Sequence, residues 1–331
     1  MDSFLFAVNS VLPIILMVAA GYALKRLGMI NGGFVKAANR LIFHFFLPIT
    51  LFLNVYRIDG LGQISLGFVL YTSVAILLMF FLFAPAVRAV TRDDATRGAL
   101  LQATFRSNFA LIGIPLATSI FGAAGAAEAS VLSAFTIPLF NVLAVVSLLM
   151  FRKETGGRSR LGATLLGIAK NPLILSVLAG MLVLAVRALF SHLGIGFRLS
   201  DLRPIYSAAE TLSAVSTPLA LIVLGAQFEF SAIREKRKEI LFGVVARTVI
   251  SPLICLGVAA LFFRDSFSGA QFAAMSAAFL TPVAVASVPM AQEMGADTTL
   301  AGQLVVFTTA ISAATSFLGI FILSAIGIFP V

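Results

Sequence analysis

The stretch Arg106-Ser107-Asn108-Phe109-Ala110-Leu111-Ile112-Gly113-Ile114-Pro115 and its counterpart Thr281-Pro282-Val283-Ala284-Val285-Ala286-Ser287-Val288-Pro289 decide the reading of this chain. Each places helix breakers and polar side chains in the middle of an apolar segment long enough to cross a bilayer. A backbone N–H or C=O left free at that depth costs several kcal/mol unless protein or a water-filled cavity satisfies it. Breaks of this kind, in corresponding segments of two chain halves, point to the binding site of a secondary transporter.

The surrounding composition agrees. Of 331 residues, 60% are hydrophobic and 11% charged, and the mean hydropathy is +1.05. A soluble domain carries about 25% charged residues, so the chain reads as an all-α polytopic membrane protein. The formal net charge of +9 does not imply a nucleic-acid partner, because the basic residues sit in short loops between apolar runs. A single cysteine, Cys255, and two well-separated histidines assemble neither a disulfide framework nor a metal site. The opening Met1-Asp2-Ser3-Phe4 lacks the basic region of a cleaved signal peptide, so the first helix is expected to be retained.

A spanning helix needs about 20 mainly apolar residues. Ten segments qualify: 4–27, 35–56, 66–90, 98–122, 128–151, 163–190, 204–228, 240–263, 269–292 and 298–328. With the N-terminus outside, only Arg57, Arg187, Arg198, Arg203 and Arg264 of the 23 lysines and arginines fall in outer loops. Arg106 and Arg247 fall within spans, and the rest lie inside. That asymmetry predicts N-out, C-out. The mixed-sign run Arg234–Glu239 reads as one of these orienting inner loops, with lipid binding as the alternative.

Five spans per half invert a duplicated unit. The halves 1–155 and 156–331 keep matching breakers in the same order: Pro13 with Gly21 against Pro172 with Gly180, Pro48 against Pro218, and Ile114-Pro115-Leu116-Ala117 against Val288-Pro289-Met290-Ala291. Asn108 precedes Pro115 by the same interval as Pro282 precedes Pro289. A five-plus-five inverted repeat with broken, crossing spans four and nine is the expected architecture, working by alternating access around a midplane site.

The motifs Leu12-Pro13, Gly21-Tyr22, Leu24-Lys25-Arg26-Leu27-Gly28 and Asn39-Arg40-Leu41-Ile42 leading to Leu47-Pro48 resemble the opening of auxin efflux carrier family proteins. The Asn108 to Leu116 block is similar to that family's fourth helix, and Pro282-Val283-Ala284 followed by Ala291-Gln292 and Gly295 to its ninth. The resemblance covers nearly the whole chain. It implies a bile acid/sodium symporter-like fold, with helices 1, 2, 6 and 7 as scaffold and 3–5 and 8–10 as transport core. It also implies a bacterial inner-membrane permease for organic acids such as malonate or malate, and a homodimer through the scaffold. The long cytosolic loop of plant auxin carriers is absent between spans five and six, so a plant hormone is not implied.

Within this frame, Asn108 and Pro115 bound the break in span four, and the half-helix after Pro115 is expected to present free N–H groups and partial positive charge to an anion. Pro282 and Pro289 would do the same from span nine, with Thr281 and Ser287 adding hydroxyls; Ser107 and Gly113 belong to the same break. Asn108 could instead merely satisfy backbone beside a kink. Arg106, about eight residues into span four, either meets a carboxylate or snorkels to the inner surface. For Arg247 in span eight, snorkelling is the favoured reading, and coupling the alternative. Glu293 reads as a solvated carboxylate that could pair with Arg106 or take a coupling proton. His44 reads as a packing histidine that could titrate. Asn141 and a span-ten face of Thr308, Ser312 and Thr315 either line the pathway or let helices approach closely.

No Asp or Glu lies at the centre of a span, which favours anion over cation transport. The outer small-residue turn Gly122–Ala127 has no Walker lysine, so no ATP site and no cofactor is expected. The function expected is secondary transport of a small mono- or dicarboxylate, not catalysis, with proton or sodium as possible coupling ion. The alternatives are a sodium-coupled symporter of larger amphipathic anions and a non-transporting membrane sensor.

Overall fold

The computed structural model describes residues 2–57, 65–151, 166–194 and 196–329. The start of the sixth expected span and the expected boundary between halves, at 155–156, lie outside them. The helices are α1 Asp2–Arg26, α2 Gly32–Tyr56, α3 Leu66–Val90, α4 Asp94–Phe105, α5 Phe109–Leu149, α6 Pro172–His192, α7 Arg203–Gln227, α8 Ser231–Glu235, α9 Arg237–Phe262, α10 Gly269–Phe279, α11 Ser287–Glu293 and α12 Thr298–Ala325. Among the described residues, seven helices are long and apolar enough to cross a membrane by length and composition: α2, α3, α5, α6, α7, α9 and α12. The expected count of ten also includes α1 and the two interrupted segments, whose pieces α4, α10 and α11 are each too short to qualify alone.

Among the described residues, five helices, α2, α4, α6, α10 and α12, begin where a short polar side chain accepts from a free N–H group. Asp93 caps α4 through the N–H of Thr96 at 3.0 Å, and Asp297 caps α12 through that of Leu300 at 2.9 Å. Ser268 and Gln271 form a reciprocal capping box on α10. The Lys236 ammonium pairs with the Asp297 carboxylate, which lies 2.8 Å from the Thr96 hydroxyl that Asp93 shares. This basic loop thereby joins the starts of α4 and α12, a contact beyond the orientation signal read from its charge.

α5 contains a sharp turn at Phe121 and Gly122, where Gly122 has φ 59° and ψ −145°. Glycine reaches this conformation without the Cβ clash of other residues. The turn folds Gly125 back onto Ala117, so close that an added Cβ would lie 2.2 Å from the Ala117 carbonyl oxygen. It separates the expected spans four and five.

α1 packs on α7, α7 on α2, and α2 on α6. Small residues allow these contacts. A Cβ on Gly21 of α1 would sit 2.0 Å from the Ile222 carbonyl oxygen of α7, and one on Gly225 of α7 1.9 Å from that of Val18. Gly180 of α6 packs in the same way on Phe52 and Val55 of α2. In the other part of the molecule α5 packs on α10, α3 on α4, and α9 on α12. The two breaks, between α4 and α5 and between α10 and α11, meet there.

Candidate functional site

α4 ends at Phe105; Arg106 and Ser107 run extended, and Asn108, at φ −81° and ψ 55°, turns the chain into the π-helical turn Phe109–Gly113 that restarts the helix. α10 ends at Phe279, and residues 280–286 cross to α11. The two extended pieces form an isolated antiparallel bridge between Ser107 and Val283. The Asn108 N–H donates to the Pro282 carbonyl at 2.8 Å. The hydroxyls of Ser107 and Thr281 lie 2.6 Å apart, and the Thr308 hydroxyl accepts from the Val283 N–H at 3.1 Å. The breaks thus satisfy part of each other's freed backbone, and the Thr308 hydroxyl of α12 takes a further N–H, as low-dielectric surroundings demand.

Beside the bridge lies a cavity of about 110 Å³. One wall comes from the crossing: Arg106 to Leu111 and Ala284 to Ala286. α5 adds Ile137, Phe140 and Asn141, and α2 and α7 close it with Thr50, Asn54 and Thr217. Arg106 is 4% exposed and is the one charged residue in the lining. Its guanidinium donates to Asn141 Oδ1 at 2.8 Å and to Met290 Sδ at 2.7 Å, with no carboxylate partner among the described residues. Those bonds use two of five donors. Asn108 Nδ2 is buried with no hydrogen-bond partner. A hidden cation and a free amide donor at one small cavity form an acceptor-seeking pair, suited to an oxyanion.

Arg106, Ser107, Asn108 and Asn141 thus come together at the cavity, and Arg106 does not snorkel. The other expected residues take different places. The half-helix restarts at Phe109 rather than after Pro115, because the π-helical turn already carries the chain into helical bonding, with Ile112 and Gly113 N–H on the Asn108 carbonyl at 3.1 and 3.2 Å. Pro115 is exposed outside the lining. Gly113 allows close packing, since a Cβ there would approach the Ala277 carbonyl oxygen to 2.8 Å. Thr281, Pro282 and Thr308 build the crossing from behind, and Ser287, Pro289 and Ser312 are buried away from the cavity. Thr315 is half-buried and bonds its own helix at Ile311.

Snorkelling is overturned for Arg247 as well. It is 0% exposed and donates to the carbonyls of Phe105, Ala278 and Thr281 at 2.7–3.2 Å. Short free carbonyls at two helix ends offer it better partners than a distant surface. Glu293 does not reach Arg106; it faces His44 Nδ1 at 3.8 Å, with His44 51% exposed and also 3.1 Å from the Arg40 carbonyl. Nearby, the Asn39, Gln227 and Gln292 side chains join α2, α7 and α11, with Gln227 Nε2 donating to Gln292 Oε1 at 2.8 Å.

Sequence reasoning missed Thr50, Asn54 and Thr217. The signal available was position: Thr50 lies just past Pro48 and Thr217 just before Pro218, the paired breakers of the two halves. A larger groove of about 620 Å³ between α3 and α9 has no charged lining residue and is walled by Leu70, Val74, Leu78, Ile254 and Val258. Its chemistry suits apolar contacts, not an anion.

A family model described as membrane transport protein matches residues 6–320. An uncharacterized transporter of Methanothermobacter thermautotrophicus is 25% identical over 314 residues, covering 93% of this chain and 96% of that one. An uncharacterized transporter of Methanocaldococcus jannaschii is 25% identical over 251 residues, covering 73% of this chain and 75% of its own.

Proposed function

The chain belongs to the membrane transport protein family, that of the auxin efflux carriers, and is a multi-pass membrane transporter; from that premise we propose that it moves a small organic anion through the crossing of its two broken segments. The observation that carries this reading is Arg106, a buried guanidinium lining the cavity with no acidic partner among the described residues. A charge in that setting is costly unless something neutralises it, and a bound carboxylate does so with charge-assisted hydrogen bonds. Asn108 Nδ2 supplies a second donor for another oxygen of the same molecule.

Size weighs against larger amphipathic anions. Pockets for drug-sized ligands measure about 300–1,000 Å³, whereas this cavity is about 110 Å³. At ~30 Å³ of liquid volume per water, it suits a short mono- or dicarboxylate such as malonate or malate. The reading includes ten spans in two inverted halves, with both termini outside a bacterial inner membrane and a scaffold able to pair as a homodimer. The exchange of partners supports it: Gly21 of α1 packs on α7 and Gly180 of α6 on α2, as two halves related by inversion require. A thermal-shift screen of purified protein against short mono- and dicarboxylates, with and without sodium and across pH, tests it. Stabilisation by carboxylates and not by neutral analogues is expected; equal response to both, or to neither, counts against it.

A further inference from the structure

Helices α4 and α10 stop inside the molecule, and both leave C-terminal carbonyls without an N–H one turn onward. Such ends each carry about half a negative charge, and in transporters with interrupted helices they coordinate a coupling sodium. Here both ends converge on one side chain. Arg247 Nη1 donates to the Phe105 carbonyl of α4 at 3.2 Å. Its Nη2 donates to Ala278 at 2.8 Å and, with Nε, to Thr281 just beyond the end of α10 at 2.7 and 2.9 Å. The residue sits in the π-helical turn Ala246–Ile250 of α9, where the altered register also aims Ser251 at the next α4 carbonyl, Thr104, at 3.0 Å. Arg247 does not line the cavity and, among the described residues, has no carboxylate partner.

We propose that Arg247 is the crossing's tethered cation: a positioning residue whose guanidinium takes the place of a coupling sodium, neutralises both half-helix ends and locks them together, so that no sodium binds there. This rests on the reading of the crossing as the anion site. Two ends of about −0.5 each balance one guanidinium charge, and directional bonds to three carbonyl oxygens offset much of the desolvation of a buried ion. With the carbonyl side of the crossing occupied by a resident cation, the cavity side is left with Arg106 and the amide donors.

The test removes the tether and returns the cation from solution. Purified wild type, Arg247→Ala, Arg247→Lys and Arg247→Gln are melted in choline, sodium or dilute guanidinium chloride kept well below denaturing concentration. Arg247→Ala should melt lower than wild type and regain at least half of the loss in guanidinium, while wild type responds to neither guanidinium nor sodium. Should Arg247→Ala fail to accumulate, the other two variants decide: Lys, which keeps the charge, should melt closer to wild type than Gln, which keeps a donor without it. In proteoliposomes, uptake of labelled lactate or malonate by wild type should be equal in sodium and choline. A sodium response of the wild type, no guanidinium-specific recovery in Arg247→Ala, or Gln matching Lys would each overturn the proposal. Absence of uptake of both probes would speak against the anion reading alone, since the melting series judges Arg247 independently.

Discussion

The backbone N–H of Asn108 donates to the carbonyl of Pro282 at 2.8 Å, so the two interrupted segments are joined main chain to main chain where each would otherwise expose polar groups. This bond leaves the Asn108 side chain free, and its Nδ2 is a buried donor without a partner beside the cavity. Asn108→Ala should therefore keep the crossing intact and lose one neutral hydrogen bond to the occupant, about 0.5–1.5 kcal/mol. A three- to tenfold weaker apparent affinity for a stabilising carboxylate is expected from titrated thermal shift, with the unliganded melting temperature nearly unchanged. Pro115→Ala, outside the lining, serves as control and should bind normally.

Arg106→Gln removes the one charge in the cavity wall. A hydrogen bond to a charged group contributes about 1.5–3 kcal/mol, so carboxylate affinity should fall by ten- to over a hundredfold, at about 1.4 kcal/mol per tenfold. The unliganded protein should melt no lower than wild type, because the variant no longer buries an unpaired ion. Unchanged carboxylate binding in the variant would exclude Arg106 as the anion's partner.

Packing of α1 on α7 depends on two glycines. Gly225→Ala or Gly21→Ala would push a methyl group into opposing backbone at 1.9 or 2.0 Å, where no side chain can yield. Overpacking of this kind costs about 1–3 kcal/mol, visible as lower melting temperature and folded yield. Gly257→Ala on α9, with nothing within 4 Å of the new methyl, should be indistinguishable from wild type; equal damage at all three positions would refute the packing account.

Asp93 sets an acid-side dependence. Its carboxyl lies below the usual 3.8, chiefly because the Thr96 hydroxyl donates to it at 2.6 Å, with the Thr96 N–H at 3.0 Å helping. A carboxylate with a depressed folded pKa stabilises above its unfolded value and loses that contribution as pH falls below about 3.8 and through the folded value. Asp93→Asn should retain the cap of α4 and remove that acid sensitivity, whereas Asp93→Ala should lose the cap, about 1 kcal/mol. Hydrogen exchange of the first turn of α4 across acid pH reads both effects.

Much of the fold was legible because its signals are local. Seven of the long apolar runs are single helices among the described residues or parts of one, and the breakers at Asn108 and Pro282 mark real interruptions. The restart of span four was misplaced at Pro115, because proline is compatible with the first turn of a helix and the π-helical turn before it leaves no mark in composition. Arg106 and Asn141 were both named as candidates, yet their pairing was invisible, since it joins residues on different helices. Arg247 was misread for the same reason: its partners are main-chain carbonyls, which any residue supplies, so no side-chain pattern announces them.

Hydropathy, loop charge and breaker position are properties of the chain taken segment by segment, and by themselves they determined an all-helical membrane protein with two interrupted segments. Tertiary structure alone decided which polar groups remain unsatisfied once the breaks cross. That balance depends on distances between helices far apart in sequence. It left Arg106 and Asn108 Nδ2 seeking an oxyanion at a cavity of about 110 Å³, and it committed Arg247, equally basic and equally deep, to the carbonyl ends of α4 and α10.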